Sequence, residues 1–506
     1  MGAAFSAVSG IALVVIVTNG FSASLAGTLF AATSTFLILE SFALLGTDTG
    51  LVKCLPAQLA SGRAGDIRRT LVVSAVPVLG LALSLSVAVY AAAPAVAPHL
   101  TGDGAAAWMT TMLRALALVM PVAALHDLVM AATRGTGSMR PTVIVDNIGR
   151  LGLQAVAVLV VFLADGGPLA LALAWSLPYA VGFLAGVAWL HRQLVRRTSS
   201  GLEAEHEATP WGSVAREFWT YTAPRAIARV TQTALKRSDI VLVAALASPA
   251  EAALYTAATR FIVVGQLFVQ SVQQALSPQI AALFARGEVR AANSVYQAAT
   301  LWSVIAAWPL YLVLAGFAPS VMGVFGGDYH VASDVVVILA LTMLLATACG
   351  SVDAVLLMAG RSWVSLRNAS VALAVNVALN LVLIPAQGIR GAAISWSAAI
   401  VVRNLLPLLI VRRQMGMWPV TTAAVRVAAV ALACFGAADV VGVLTDLPRA
   451  LDLGLVGLAA AVYLRVVWSW REALSLDTFA SAVRRRSNQH RSDRPEVTRS
   501  EALGGQ

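Results

Sequence analysis

The chain has 506 residues, of which 59% are apolar and 12% charged, with a mean hydropathy of +0.80 and a net charge of +10. An ordinary soluble domain carries roughly 45–50% apolar and about 25% charged residues. The composition excludes a soluble enzyme, a disordered protein and a nucleic-acid binder, and describes one polytopic, all-α membrane protein.

At about 20 residues per crossing, fourteen segments qualify: 4–21, 26–52, 70–96, 108–133, 142–163, 169–190, 218–245, 252–284, 297–318, 333–359, 368–385, 391–411, 420–442 and 450–468. The first could be mistaken for a secretory signal, because Ser24-Leu25-Ala26 mimics a cleavage site. Residues 1–10 lack the basic charge a signal needs, so we read a membrane helix, and the missing basic cap points to a start codon upstream. Arginine supplies all but two of the 35 basic residues, the lysines being Lys53 and Lys236. With the abundant Ala and Val, this suggests a GC-rich bacterial genome. Cys54, Cys349 and Cys434 stand far apart without metal-ligand or disulfide spacing, so no metal or cofactor is expected.

Placing both termini in the cytoplasm puts 23 of the 35 basic residues on inner loops and the tail, and leaves only Arg390 and Arg449 outside. Outer loops instead carry Asp103, Asp165, Glu251, Asp328, Asp334 and Asp446. The positive-inside rule then requires an even number of helices in a bacterial plasma membrane. The expected organisation is an N-lobe over 1–190, a cytoplasmic linker over 191–217 and a C-lobe over 218–413. Two further helices and an interfacial segment follow over 414–476, then a disordered basic tail over 477–506. The tail could meet anionic lipid headgroups, although an ordinary cytoplasmic anchor is the simpler reading.

The halves repeat at an offset near 225. Arg134 and Arg140 answer Arg361 and Arg367, Asp127 answers Asp353, Leu29-Phe30 answers Leu254-Tyr255, Pro56 answers Pro278, and Trp175-Ser176 answers Trp396-Ser397. Six helices separate each pair, so the two six-helix lobes are related in parallel about an axis along the membrane normal. A two-lobed bundle of this kind rocks around a central cavity.

Charges inside the membrane cost roughly 2.5–3.5 kcal/mol on insertion scales, and the seventh helix carries Arg225, Arg229, Lys236, Arg237 and Asp239. At about 100° per residue, Arg225, Arg229 and Lys236 form one stripe, Arg237 points elsewhere, and Asp239 is placed to pair with a stripe cation. Arg260 on the eighth helix adds another cation. A cationic wall suits an anion, since guanidinium grips phosphate with paired hydrogen bonds. Arg225, close to Trp219, also fits a snorkelling role, and Arg260 could pair with a neighbouring acid. Asp146 and Arg150 should pair at i,i+4, Asp48 and Lys53 similarly, and His126-Asp127 fits a hydrated structural role. Asn376 and Asn380 should bond across helices. Glu40, mid-helix without a local partner, is the candidate coupling group, with Asp239 a second.

The stretch DIVLVAALASPAEAALYTAATRF (239–261) resembles the seventh-to-eighth helix connection of bacterial polysaccharide flippases, and LSPQIAALFARGE (276–288) continues the pattern. LNLVLIPAQGIRGAAISW (379–396) resembles their eleventh-to-twelfth hairpin, and LLGTDTGLVKCLPAQLASGR (44–63) the end of their second helix. The resemblance covers about 20–470, within the multidrug/oligosaccharidyl-lipid/polysaccharide exporter superfamily. It implies alternating access, an undecaprenyl-linked glycan as substrate, and cavity cations at Arg229, Lys236, Arg260 and Arg225. Fourteen helices also fit the related lipid II flippases, whose last two helices help form a lipid groove. The absence of cavity-lining cations in the first two helices favours the general polysaccharide branch. Membrane lipids and envelope polysaccharide synthesis enzymes are the partners implied, with the protein a monomer. A cation-coupled drug exporter of the same superfamily is the alternative, although a cationic stripe argues against it. A sugar polymerase or glycosyltransferase is a weaker one, because the outer loops are short and His330 with Asp328 makes no active site.

Overall fold

A computed structural model describes residues 2–198, 209–445 and 449–470. The tail, residues 471–476 of the interfacial segment, the middle of the linker and Asp446 lie outside the described residues. The regular structure of the described residues is helical throughout.

The first crossing is α1 (Gly2–Gly20). Ser22 caps α2 (Ala23–Ala43), its hydroxyl accepting the Leu25 amide at 3.3 Å. The second crossing was expected to run unbroken over 26–52, but the chain breaks at Leu45 and Gly46, whose φ values are 50° and 74°. It restarts as α3 (Thr47–Ala60). A Cβ at Gly46 would stand 2.7 Å from Ala226 N, so glycine is required both for the left-handed turn and for the close approach of the seventh crossing.

The next helix, α4 (Asp66–Gly135), contains the third and fourth crossings. Gly102, with φ 69° and ψ 170°, folds it back on itself. Ser86 Oγ donates to Ala117 O at 2.6 Å and Arg114 Nε to Tyr90 O at 3.3 Å, which fixes the two legs as antiparallel. A π-helical segment, Thr142–Arg150, opens the fifth crossing and continues as α5 (Leu151–Leu163). The sixth comprises α6 (Pro168–Ser176) and α7 (Pro178–Thr198), interrupted where Pro178 lacks an amide to donate.

The second half begins with α8 (Trp211–Leu246), α9 (Pro249–Ala285) and α10 (Val289–Gly316). The short α11 (Ala318–Met322) and two 3-10 turns lead into α12 (Ser333–Ala348). After a break at Gly350 come α13 (Val352–Met358), α14 (Ser362–Gln387) and α15 (Ile389–Met415). The last pair is α16 (Thr422–Thr445) and α17 (Arg449–Ser469), which packs on α10, with Tyr463 OH donating to Ile305 O at 2.9 Å.

By length and apolarity, 10 segments qualify as spans among the described residues. The 70-residue α4 counts there as one but crosses twice. The apolar parts of α1 and α17 are shorter, and α8 is too highly charged to qualify. Including them gives the expected fourteen crossings.

One core joins the two halves. Leu29 and Phe36 of α2, Met112 of α4, Tyr255 of α9 and Tyr311 of α10 are all fully buried in it. Lipid is as apolar as leucine, so burial alone does not bring helices together in a membrane; close packing through small residues does. Ala26, Ala31, Ala32, Ala257 and Ala258 supply such surfaces on α2 and α9. At Gly27 a Cβ would lie 1.5 Å from the Pro249 carbonyl oxygen. Gly27→Val should therefore force α2 off α9, and we expect a large drop in folded yield and a lower melting temperature in detergent.

Candidate functional site

Two cavities meet at the seam between the halves. The larger, about 560 Å³, lies among α8, α9, α12, α13 and α15 of the second half. Lys236, Arg237, Arg260 and Arg403 line it. Among the described residues none of the four has a carboxylate partner. Lys236 is in electrostatic reach of both Arg403 and Arg237, and Arg260 of Arg237, so like charges crowd together. The acids in the same wall are already engaged. Asp239 accepts from Asn380 Nδ2 at 2.7 Å and from Tyr255 OH at 3.3 Å, and Asp353 accepts from Ser365 Oγ. The cavity is thus a cationic cradle in which four cations face two carboxylates and none of the four forms a salt bridge among the described residues, in a setting where charge interactions are far stronger than in water.

The smaller cavity, about 230 Å³, is lined by α1 and α2, by Arg150, Gln154, Trp175 and Tyr179, and again by Arg237 and Arg260. These two arginines therefore face both halves. The repeat-related tryptophans separate between the spaces, Trp175 on the smaller and Trp396 on the larger.

The structure divides the sequence-predicted residues into two groups. Lys236 and Arg260 are together in the cradle. Arg237, expected to point away, joins them. Arg229 and Arg225 do not line it. The stripe on α8 was an angular alignment, but Arg225 and Lys236 stand about 16 Å apart along the axis at 1.5 Å per residue. Arg225 lies over the Tyr221 ring at 5.4 Å.

Arg229 holds a second cluster, in which α8 meets the first half. Its Nη1 is 2.7 Å from Asp48 Oδ2 and its Nη2 is 3.6 Å from Asp127 Oδ2. Glu40 is 4% exposed, has no hydrogen bond on Oε1, and lies in electrostatic reach of Asp127, Arg229 and Asp48. The expected Asp48–Lys53 pair does not form. Five residues along a helix turn the side chains about 140° apart, and Lys53 instead places Nζ 3.5 Å from the Tyr221 ring centre. Asp239 likewise takes amide and phenol partners rather than a stripe cation. The Asp146–Arg150 pair forms at 2.6 Å, with the fully buried His126 at 3.3 Å from the same carboxylate. Asn376 and Asn380 bond across helices, Asn376 receiving Ser238 Oγ at 3.4 Å.

Arg403 of α15 is the cradle cation absent from the sequence reading. The signal was present, since Ile400-Val401-Val402-Arg403-Asn404-Leu405 places a guanidinium inside an apolar helix.

The chain shares its fold with solved structures of the lipid II flippase MurJ and of MATE family transporters. The chain superposes on the lipid II flippase MurJ in an inward closed conformation with a TM-score of 0.73, at 13% identity, over 94% of this chain and 98% of that one. It superposes on an inward-facing multidrug resistance MATE family transporter with a TM-score of 0.68, at 16% identity, over 81% and 94%. A superfamily transporter from Pyrococcus furiosus, described as having a binding pocket of reverse polarity, gives 0.58 at 17% identity over 82% and 93%. In sequence, the chain is similar to the probable low-salt glycan biosynthesis flippase Agl15 of Haloferax volcanii, 23% identical over 193 residues. That match spans 38% of this chain and 41% of the relative. No family model matches the chain.

Proposed function

We propose that this protein is a flippase that carries an undecaprenyl-(pyro)phosphate-linked glycan precursor from the inner to the outer leaflet of a bacterial plasma membrane by alternating access. The observation that carries the reading is the cradle of Lys236, Arg237, Arg260 and Arg403, which has no carboxylate partner among the described residues. A phosphate diester or pyrophosphate balances the excess positive charge of the cradle and accepts paired guanidinium hydrogen bonds. The lipid II flippase fold and the glycan flippase relative support the same substrate class. The protein acts as a transporter rather than an enzyme.

In this reading Lys236 and Arg260 keep the substrate-binding role given to them by the sequence, and Arg237 and Arg403 join them. Arg229, already paired, latches α8 to α3 and α4, and Arg225 anchors the start of the crossing. Substrate charge relieves the repulsion in the cradle, which lowers the cost of moving the halves about their seam. The α16–α17 hairpin offers an apolar flank for the prenyl chain. The concentration of arginine on alternate loops supports a cytoplasmic position for both termini.

Depletion in the host, with lipid-linked glycans profiled by mass spectrometry and leaflet accessibility, tests the proposal. We expect one prenyl-linked intermediate to accumulate on the inner face. An unchanged lipid-linked pool in a strain without a redundant flippase, together with new sensitivity to organic cations, would replace this reading with the drug exporter that the MATE-like superposition allows.

A further inference from the structure

The larger cavity has a second polar surface that the cationic cradle does not use. Thr259, Gln266, Gln270 and Gln273 of α9 all line it, and at about 100° per residue they fall within a stripe roughly 60° wide. Gln266 and Gln273 are half-buried and Gln270 is exposed, so the three amides face the cavity rather than the protein interior. The protein supplies almost no polar partners for them. Gln266 Nε2 meets only the Met343 sulfur, at 3.7 Å, and the side chains of Gln270 and Gln273 have no hydrogen bond among the described residues. From Arg260 to Gln273 the stripe runs about 20 Å along the helix, away from the cradle and towards the C-terminal end of α9. Across the cavity stands Asn404 of α15, whereas the half-buried Trp396 lies seven residues nearer the start of that helix than Arg403.

We propose that Gln266, Gln270 and Gln273 form a sugar-recognising wall, distinct from the cradle that binds phosphate. This rests on the flippase reading. Each amide carries two donor hydrogens and an acceptor oxygen, the complement of a sugar hydroxyl, which also both donates and accepts. An amide wall carries no net charge, so it reads neutral hydroxyls and acetamido groups without favouring an ionised sugar. The layout sets an order. Phosphate sits deep against Lys236, Arg237, Arg260 and Arg403, the prenyl chain stays at membrane depth, and the sugars extend along α9 towards the inner mouth.

The test compares binding of undecaprenyl pyrophosphate with binding of the same lipid carrying a neutral trisaccharide. It uses the full chain in lipid nanodiscs and native mass spectrometry. In the wild type the trisaccharide should tighten binding about tenfold, the scale of one or two net neutral hydrogen bonds. In Gln266→Leu/Gln270→Leu/Gln273→Leu that increment should vanish while the sugar-free lipid binds as before, which also shows that the variant is folded. The conservative Gln270→Asn should keep part of the increment. An undiminished increment in the triple variant overturns the wall and leaves the flippase reading standing. Failure of the wild type to bind either lipid overturns both.

Discussion

Arg229→Gln is expected to destabilise the protein and abolish transport together. The guanidinium serves Asp48 and Asp127 at once and has Glu40 within electrostatic reach. Removing it leaves three carboxylates with no other cation bonded to them among the described residues, Arg150 acting on Glu40 and Asp127 only from a distance. Breaking a buried pair from one side costs about 3–5 kcal/mol. Arg229 is 34% exposed, so the lower end of that range applies after screening. A clear fall in melting temperature in detergent should accompany the loss of complementation. Asp48→Asn in the same chain removes one orphaned charge and should recover part of the stability. It should not recover transport, because the tie between α8 and α3 is still missing. Wild-type melting in the single variant would show that the cluster does not hold the seam.

Arg229 also shows where sequence reasoning reached its limit. Its place inside the membrane marked it as a residue needing a reason, and helical periodicity aligned it with Lys236. Periodicity places residues around one helix axis but says nothing about which neighbour stands opposite. Asp48 is 181 positions away, and its position depends on the left-handed break at Leu45 and Gly46, which hydropathy reads as continuous helix. The Asp146–Arg150 pair was legible because both partners share one helical segment. The fourteen crossings were legible because span length and loop charge are properties of the chain itself. Lys236 and Arg260 were found by the cost of burying charge, and the same argument applied to the twelfth helix finds Arg403. The glutamine stripe was less visible, since neutral amides do not interrupt a hydropathy profile and stand out only once α9 is known to border a cavity.

Neutralising the cradle should have the opposite effect on stability. Lys236, Arg237, Arg260 and Arg403 repel one another and form no salt bridge among the described residues, the two acids of the wall being held by neutral partners. Lys236→Gln/Arg403→Gln relieves that repulsion, so the protein should melt at the same temperature as the wild type or higher. Transport should nevertheless collapse. A hydrogen bond to a charged group contributes about 1.5–3 kcal/mol, and about 1.4 kcal/mol is a tenfold change. Each lost cation should therefore weaken anion binding at least tenfold, and the pair about a hundredfold, read as lipid-linked glycan flipped in reconstituted vesicles. Lys236→Glu goes further, because it places a carboxylate where the substrate phosphate must sit. That variant should fail to transport even at saturating lipid-linked glycan, and vesicles holding it should take up an organic cation that the wild type rejects. If Lys236→Gln/Arg403→Gln still moves the glycan at the wild-type rate, the cradle is not where the anion binds. A melting temperature that drops as it does for Arg229→Gln would instead show that these cations hold the fold together, as Arg229 does at the seam.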